Sequence, residues 1–321
     1  MSVGHIFIIL IPIFFVIIVG FLGGHFKIFN PASSKGLNTL VTKFALPAHL
    51  FIGITTTSKQ TLIEKWPFFM TMFLGIIGFY VIMMLIMRLV FRMDLNTSSI
   101  FSLNSTQPSF AFMGIPVLGS LFGAAEVAIP IAITGIVVNA VLDPIATIVS
   151  SVGKKTQAHK AQDGQNENLL KLTIHSILHG LREPLACVPL IGVILTLLGF
   201  HAPQLLQDSF NQIGNVTSGA ALFAIGVTIG LNHIKLSGNA IGISVLKVIG
   251  LPLLTFAFAA MMGLSTDDAT MAVLLVSFPS SAVAAMIATR FETLEVETAS
   301  SFVLSSILSL ISLPILISLL V

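Results

Sequence analysis

Apolar stretches about 18 residues long or longer recur along the whole of this 321-residue chain, and each can cross a hydrocarbon core of about 30 Å as a helix. In that solvent every backbone N–H and C=O must find a partner within the chain, which leaves helices and closed barrels as the spanning structures. Helices fit, because the apolar runs are continuous rather than alternating. Charged residues make up 9% of the chain and apolar ones 55%, where a soluble domain carries about 25% charge. The sequence predicts an all-α, polytopic membrane protein with the lipid bilayer as its surroundings. A net charge of +2 gives no reason to expect nucleic acid as a partner. The single cysteine, Cys187, precludes an intrachain disulfide. The opening segment MSVGHIFIILIPIFFVIIVGFLGG lacks a basic leader and an A-x-A site, and reads as the first spanning helix rather than a signal peptide.

Ten spans fit the sequence: 4–23, 36–57, 66–90, 97–122, 125–150, 183–200, 203–230, 237–263, 267–289 and 295–320. One polar linker, VGKKTQAHKAQDGQNENLLK at 152–171, separates them into two sets of five. The expected organisation is a first five-helix unit over 1–151, a linker with an interfacial helix over 152–182, and a second five-helix unit over 183–321. Lys27, Lys35, Arg88, Arg92, Lys154, Lys155, Lys160, Lys171, Arg182, Lys235 and Arg290 fall in loops on one side, against Lys59 and Lys65 on the other. The positive-inside rule then makes the linker cytoplasmic and puts both termini outside, in a cell membrane. Lys171, His175, His179 and Arg182 recur every three or four residues ahead of the sixth span. With no third ligand nearby for a metal, they read as the basic face of a helix lying in the headgroup region. No metal and no cofactor are expected.

The two sets resemble each other at a nearly constant offset. LPAHLFIG (46–53) aligns with SGAALFAIG (218–226), QPSFA (107–111) with FPSSA (278–282), and DPIATIV (143–149) with LPILISL (313–319). Five helices is an odd number, so the second copy must enter the membrane inverted. Inverted repeats are typical of secondary transporters, which hold substrate between discontinuous helices. The fourth span carries the interruption: Asn104, Ser105, Thr106, Gln107, Pro108 and Ser109 in a row, followed by Phe110, Gly114 and Pro116. Its mate, SFPSSAV, holds Ser277, Pro279, Ser280 and Ser281. A proline inside a helix removes a donor and clashes with the preceding turn, so both helices are expected to break there and cross. Each would restart after its proline with free N–H groups carrying about half a positive charge, and two such ends facing one point suit an anion. The plainer alternative is a pair of kinked packing helices whose hydroxyls bond their own backbone.

Ionisable residues within spans usually face a cavity or one another. Lys43 of the second span and Asp143 of the fifth are expected at similar depth, either as a structural ion pair or with Asp143, beside Asn139, as the site of a coupling proton or cation. Lys247 of the eighth span has no acid at matching depth and stands as a candidate counter-charge for the substrate. Asn104, Ser105, Gln107, Ser109, Phe110, Asn139, Ser277, Ser280 and Ser281 complete the candidate binding set.

The stretch PSFAFMGIP (108–116) is similar to the fourth-helix motif of the auxin efflux carrier (PIN-like) family, which includes bacterial malate and malonate permeases. FALPAHLF, REPLACVPLIGVILTLLGF, GAALFAIGVTIG and KVIGLPLL resemble its second, sixth, seventh and eighth helices, so the resemblance covers nearly the whole chain. It implies ten helices as a five-plus-five inverted repeat with the fourth and ninth crossing. Ser109 stands where the family often has Asn, and the linker is too short for the long loop of the plant hormone carriers. The resemblance therefore implies a secondary transporter of a small organic anion, a dicarboxylate such as malate or malonate. A monocarboxylate or auxin-like aromatic acid is the alternative, and a homodimer is left open. A sodium-coupled carrier of the bile-acid type is disfavoured because the ninth span offers serines and no carboxylate. An intramembrane enzyme lacks its catalytic partners, since Asp143 is the one acid clearly inside and no GxSG nucleophile motif occurs.

Overall fold

The computed structural model describes residues 3–160, 182, 184–231 and 235–320. Among these, every element is helical and no strand occurs. The helices are α1 (Val3–His25), α2 (Pro31–Thr55), α3 (Lys59–Leu89), α4 (Leu95–Thr106), α5 (Phe110–Phe122), α6 (Ala124–Lys154), α7 (Pro184–Leu197), α8 (Gln204–Leu231), α9 (Gly238–Met261), α10 (Thr266–Ser277), α11 (Ala282–Arg290) and α12 (Glu295–Leu320). Six of them, α2, α3, α6, α8, α9 and α12, are long and apolar enough to cross a membrane. The expected spans 97–122 and 267–289 do not appear as single helices. Each is cut in two, at 107–109 and at 278–281, which leaves four pieces too short to cross alone. The stretch carrying Lys171, His175 and His179 lies outside the described residues.

Polarity is arranged as lipid requires. Large apolar side chains such as Phe15, Leu89, Leu198 and Leu319 point outward, while Ser98, Ser102, Asn104, Ser105, Thr106, Ser301, Ser305 and Ser309 are buried. The buried hydroxyls solve a backbone problem and knit helices together. Tyr80 of α3 and Ser150 of α6 both bond the Ser99 hydroxyl of α4, at 2.7 and 2.9 Å, and Ser99 donates to the carbonyl of Ala146. That chain fixes α4 between α3 and α6. Ion pairs tie both ends of one interrupted helix, the α10–α11 unit, to the rest: Lys65–Asp268 at the start of α10, and Lys154–Glu292 just beyond α11.

Four widened π-helical turns interrupt the long helices, at Val41–Ala45, Gly114–Leu118, Val137–Leu142 and Leu246–Gly250. Three of them end two residues before a proline: Pro47, Pro144 and Pro252. The fourth contains Pro116. A proline ring collides with the carbonyl four residues back, and an extra residue in that turn relieves the collision. Lys43, Asn139 and Lys247 lie within these turns and Asp143 directly follows one, so the intramembrane polar residues sit where the regular helical register is re-aimed.

α1 and α8 pack backbone against backbone. Gly20 and Gly24 of α1 face Phe223 and Val227, while Gly226 and Gly230 of α8 face Ile17 and Phe21. At each of the four positions a Cβ would collide with a main-chain carbonyl of the other helix. Paired small-xxx-small stripes of this kind let two backbones touch where lipid offers no hydrophobic drive. Gly226→Ala is expected to destabilise the detergent-solubilised protein by about 1–3 kcal/mol, read as a lower unfolding midpoint. Gly36→Ala, with open space around it, is expected to leave the midpoint unchanged or raise it through helix propensity.

Candidate functional site

α4 starts at Asp94, whose carboxylate accepts from the Thr97 N–H at 3.0 Å and the Thr97 hydroxyl at 2.6 Å. Partial burial works against the ionised form, yet the hydrogen bonds from Thr97 and neighbouring N–H groups outweigh it and hold this carboxyl below its ordinary value of 3.8. From that cap the helix runs inward to Thr106 and stops. Gln107 leaves the helix in an extended conformation, and Phe278 does the same at the end of α10.

The two extended pieces meet. Pro108 and Ser280 face each other as an antiparallel bridge, closed by Ser109 N–H to Pro279 carbonyl at 2.8 Å and Ser281 N–H to Gln107 carbonyl at 3.1 Å. In an antiparallel pair the two directly opposed residues alternate between bonded and non-bonded types. Pro108 occupies a non-bonded position, so its missing N–H costs nothing. Side chains close the rest. Ser280 donates its hydroxyl to the carbonyl of Asn104 at 2.6 Å, and its N–H bonds the Ser305 hydroxyl of α12 at 3.0 Å. The Ser281 hydroxyl caps α11 by accepting from the Val283 N–H. Gln107 donates its amide to both oxygens of Asp143, at 2.9 and 3.1 Å.

The remaining candidates are placed as follows. Asn104 is fully buried and donates back to the carbonyl of Ile100. Ser105, Asn139 and Ser277 each bond a carbonyl one turn back in their own helix, which is the plainer reading of those three. Gly114 packs against Ile131, and Pro116 gives its carbonyl to Ser120. Lys43 lies exposed on α2. Lys247 is fully buried, and its ammonium donates to the carbonyl of Val276 near the end of α10.

A small crevice opens beside the bridge, lined by Ser109 and Ala282 together with Asn38, Phe112, Ile225, Thr228 and Phe302. Ser109 precedes α5 and Ala282 begins α11, so the starts of both restarted helices border one space. Its internal volume is about 10 Å³, room for about one water, so the crevice as it stands is too small for an organic acid. Asn38 and Thr228 are the residues that the sequence reading missed. Ser34 and Thr228 bond each other at 3.0 Å across α2 and α8. Ser305 was missed too, although hydroxyls at Ser301, Ser305 and Ser309 follow a helical spacing along one face of α12.

A bundle of apolar membrane helices in which two are cut and joined at a buried polar point is the architecture of a membrane transporter, multi-pass and moving a small molecule. The sequence matches the family described as membrane transport protein over residues 5–317, and the chain belongs to that family. The auxin efflux resemblance noted above is thereby shown. Among its relatives is the "uncharacterized transporter YfdV" of Escherichia coli (strain K12), 25% identical over 88% of this chain and 87% of that protein. The protein of the same name from Shigella flexneri matches equally. The "lysosomal cholesterol signaling protein" of Mus musculus is 25% identical over 71% of this chain, a region making up 26% of that longer protein.

Two outcomes follow from this geometry. Ser280→Ala removes a buried hydroxyl donor and leaves the Asn104 carbonyl unpaired, expected to cost about 1–3 kcal/mol in denaturation of the purified protein. Asp94→Ala is expected to cost about 1 kcal/mol near neutral pH. Because the Asp94 carboxyl is held below its ordinary 3.8, its charge-dependent contribution is full above that value. It is lost as pH falls through the lower folded value. The difference between wild type and Asp94→Ala should stay constant down to about pH 5 and shrink below the ordinary carboxyl value.

Proposed function

We propose that the chain is a secondary transporter of a small organic anion, a dicarboxylate such as malate or malonate, working by alternating access around the bridge. The observation carrying this reading is the convergence of two helix starts, at Phe110 and Ala282, on the crevice that Ser109 lines. Helix starts present free N–H groups and partial positive charge, and together they favour a carboxylate. Ser109, Phe110, Ser280 and Ser281 form the inner part of the proposed binding set, with Asn38 and Thr228 facing them. The crevice must widen to admit the substrate, and the prolines and glycines at the ends of the cut helices are natural hinges.

The proposed architecture is ten spans in a five-plus-five inverted repeat, over 1–151 and 183–321, with both termini outside and the 152–182 linker cytoplasmic. The bridge supports it: a two-fold axis through the Pro108–Ser280 pair interchanges its two hydrogen bonds, Ser109 N–H to the Pro279 carbonyl and Ser281 N–H to the Gln107 carbonyl. That register is one residue from the one in which Pro108 and Pro279 are repeat mates. Asp143, held by Gln107, is the proposed place of a coupling proton or cation. A second reading has one observation in its favour. Phe112, Ile225 and Phe302 make the crevice wall largely apolar, which suits a monocarboxylate or an auxin-like aromatic acid.

Uptake of labelled malate into proteoliposomes, at several pH values and imposed potentials, tests the reading. Saturable uptake inhibited by malonate and succinate but not by indole-acetate is the expected outcome. Inhibition by lactate or indole-acetate alone moves the assignment to the single-charge acid. Ser109→Ala and Thr228→Val are expected to reduce uptake about tenfold, the scale of one lost hydrogen bond to a charged group. Asp143→Asn is expected to flatten the pH profile of uptake, and an unchanged profile would leave Asp143 a structural residue.

A further inference from the structure

α10 ends inside the protein. The last four carbonyls of any helix lack intrahelical partners, and together they carry about half a negative charge. Here that end lies among Leu275, Val276 and Phe278, all fully buried, away from the water that normally solvates such groups. The severed C-terminal end of a helix inside a membrane protein is a place where a positive group is stabilised. The two cut ends in this chain are treated differently. At the end of α4, neutral donors serve: the Gln107 N–H bonds the carbonyl of Leu103 and the Ser280 hydroxyl bonds that of Asn104. At the end of α10 the donor is a lysine side chain, the Nζ of Lys247 on the carbonyl of Val276. Lys247 is fully buried, and among the described residues no carboxylate forms a salt bridge with it. The π-helical turn ahead of Pro252 is what places it, since Lys247 lies within that turn.

We propose that Lys247 is a resident counter-cation for the severed end of α10, filling with its own ammonium a place that a small metal cation would otherwise occupy. It is thus a positioning residue. By holding Val276 it sets the start of the extended piece Phe278–Ser281 and so the half of the bridge that faces the crevice. This role replaces the direct substrate contact expected for Lys247, and it rests on the helix break rather than on the identity of the transported anion. It also accounts for a lysine paired with a neutral carbonyl in a site where an unpaired charge is expensive. The helix end supplies the missing negative partner.

The test is thermal unfolding of the purified full-length protein in detergent, in sodium chloride and in N-methylglucamine chloride of equal ionic strength. Lys247→Met, close in shape but neutral, is expected to lower the midpoint by about 5 °C in both salts. Lys247→Arg keeps the cation and is expected to retain most of the wild-type midpoint. Lys247→Ala vacates the space, and sodium is expected to restore part of its loss where N-methylglucamine does not, beyond any sodium response of the wild type. A Lys247→Met midpoint equal to or above wild type would overturn the proposal, because an apolar filler would then suffice. So would a Lys247→Ala loss that sodium leaves unchanged. Should Lys247→Met fail to yield folded protein, recovery of folded Lys247→Arg under the same conditions supports the proposal, and loss of both overturns it. Since unfolding is the readout, a negative malate-uptake experiment leaves this result standing, and the reverse is equally true.

Discussion

Two backbone hydrogen bonds, Ser109 N–H to Pro279 carbonyl and Ser281 N–H to Gln107 carbonyl, hold together the part of this protein on which the rest depends. Cutting a helix inside a membrane exposes up to four carbonyls at one new end and four N–H groups at the other. Each would cost several kcal/mol if left bare in hydrocarbon. Two cuts made at the same point answer much of each other's need. The extended residues of one break pair with those of the other, and Ser280, Ser281, Ser305 and Lys247 take up groups that the pairing does not reach. The buried hydroxyls elsewhere in the bundle follow the same logic at lower stakes, returning to carbonyls one turn back or linking α3, α4 and α6 through Ser99.

What the junction leaves exposed is the basis of the proposed function. The starts of α5 and α11 border a crevice of water size, flanked by Asn38 and Thr228 on helices outside the break. A site of this kind is polar because its backbone is interrupted, and the interruption survives because the surrounding helices determine it on every side. The closeness of α1 and α8, set by Gly20, Gly24, Gly226 and Gly230, makes a stiff pair on the side of Ile225 and Thr228. The ion pairs Lys65–Asp268 and Lys154–Glu292 attach the two ends of the cut α10–α11 unit to helices of the first half. Motion that opens the crevice has to respect these joints.

Among the described residues, prolines accompany both cuts and all four widened turns. Pro108 and Pro279 mark the cuts, and Pro47, Pro116, Pro144 and Pro252 accompany the widened turns. Lys43, Asn139, Asp143 and Lys247 fall in or directly after those turns, so the polar residues and the irregular backbone are two aspects of one arrangement. Lys247, within its widened turn, meets the end of a helix rather than a carboxylate.

The sequence by itself determined the membrane class, the positions of both breaks and the family. The class and the breaks follow from local chemistry: apolar run length against bilayer thickness, proline's missing donor, and a polar cluster that hydrocarbon cannot tolerate. The family follows from the resemblance of short motifs such as PSFAFMGIP. It also pointed to Ser109, Ser280 and Ser281 as residues of the junction, since they adjoin the prolines. Only the tertiary structure decided what each polar group touches. Asn38 and Thr228 carry no local signal, because each is an ordinary helical residue until α2 and α8 bring it beside the break. Lys247 reads from sequence as a charge awaiting a charged partner. The fold gives it the carbonyl of Val276, a partner with no charged side chain to reveal it, since the negative end of a helix exists only once that helix has been cut and its end has been buried.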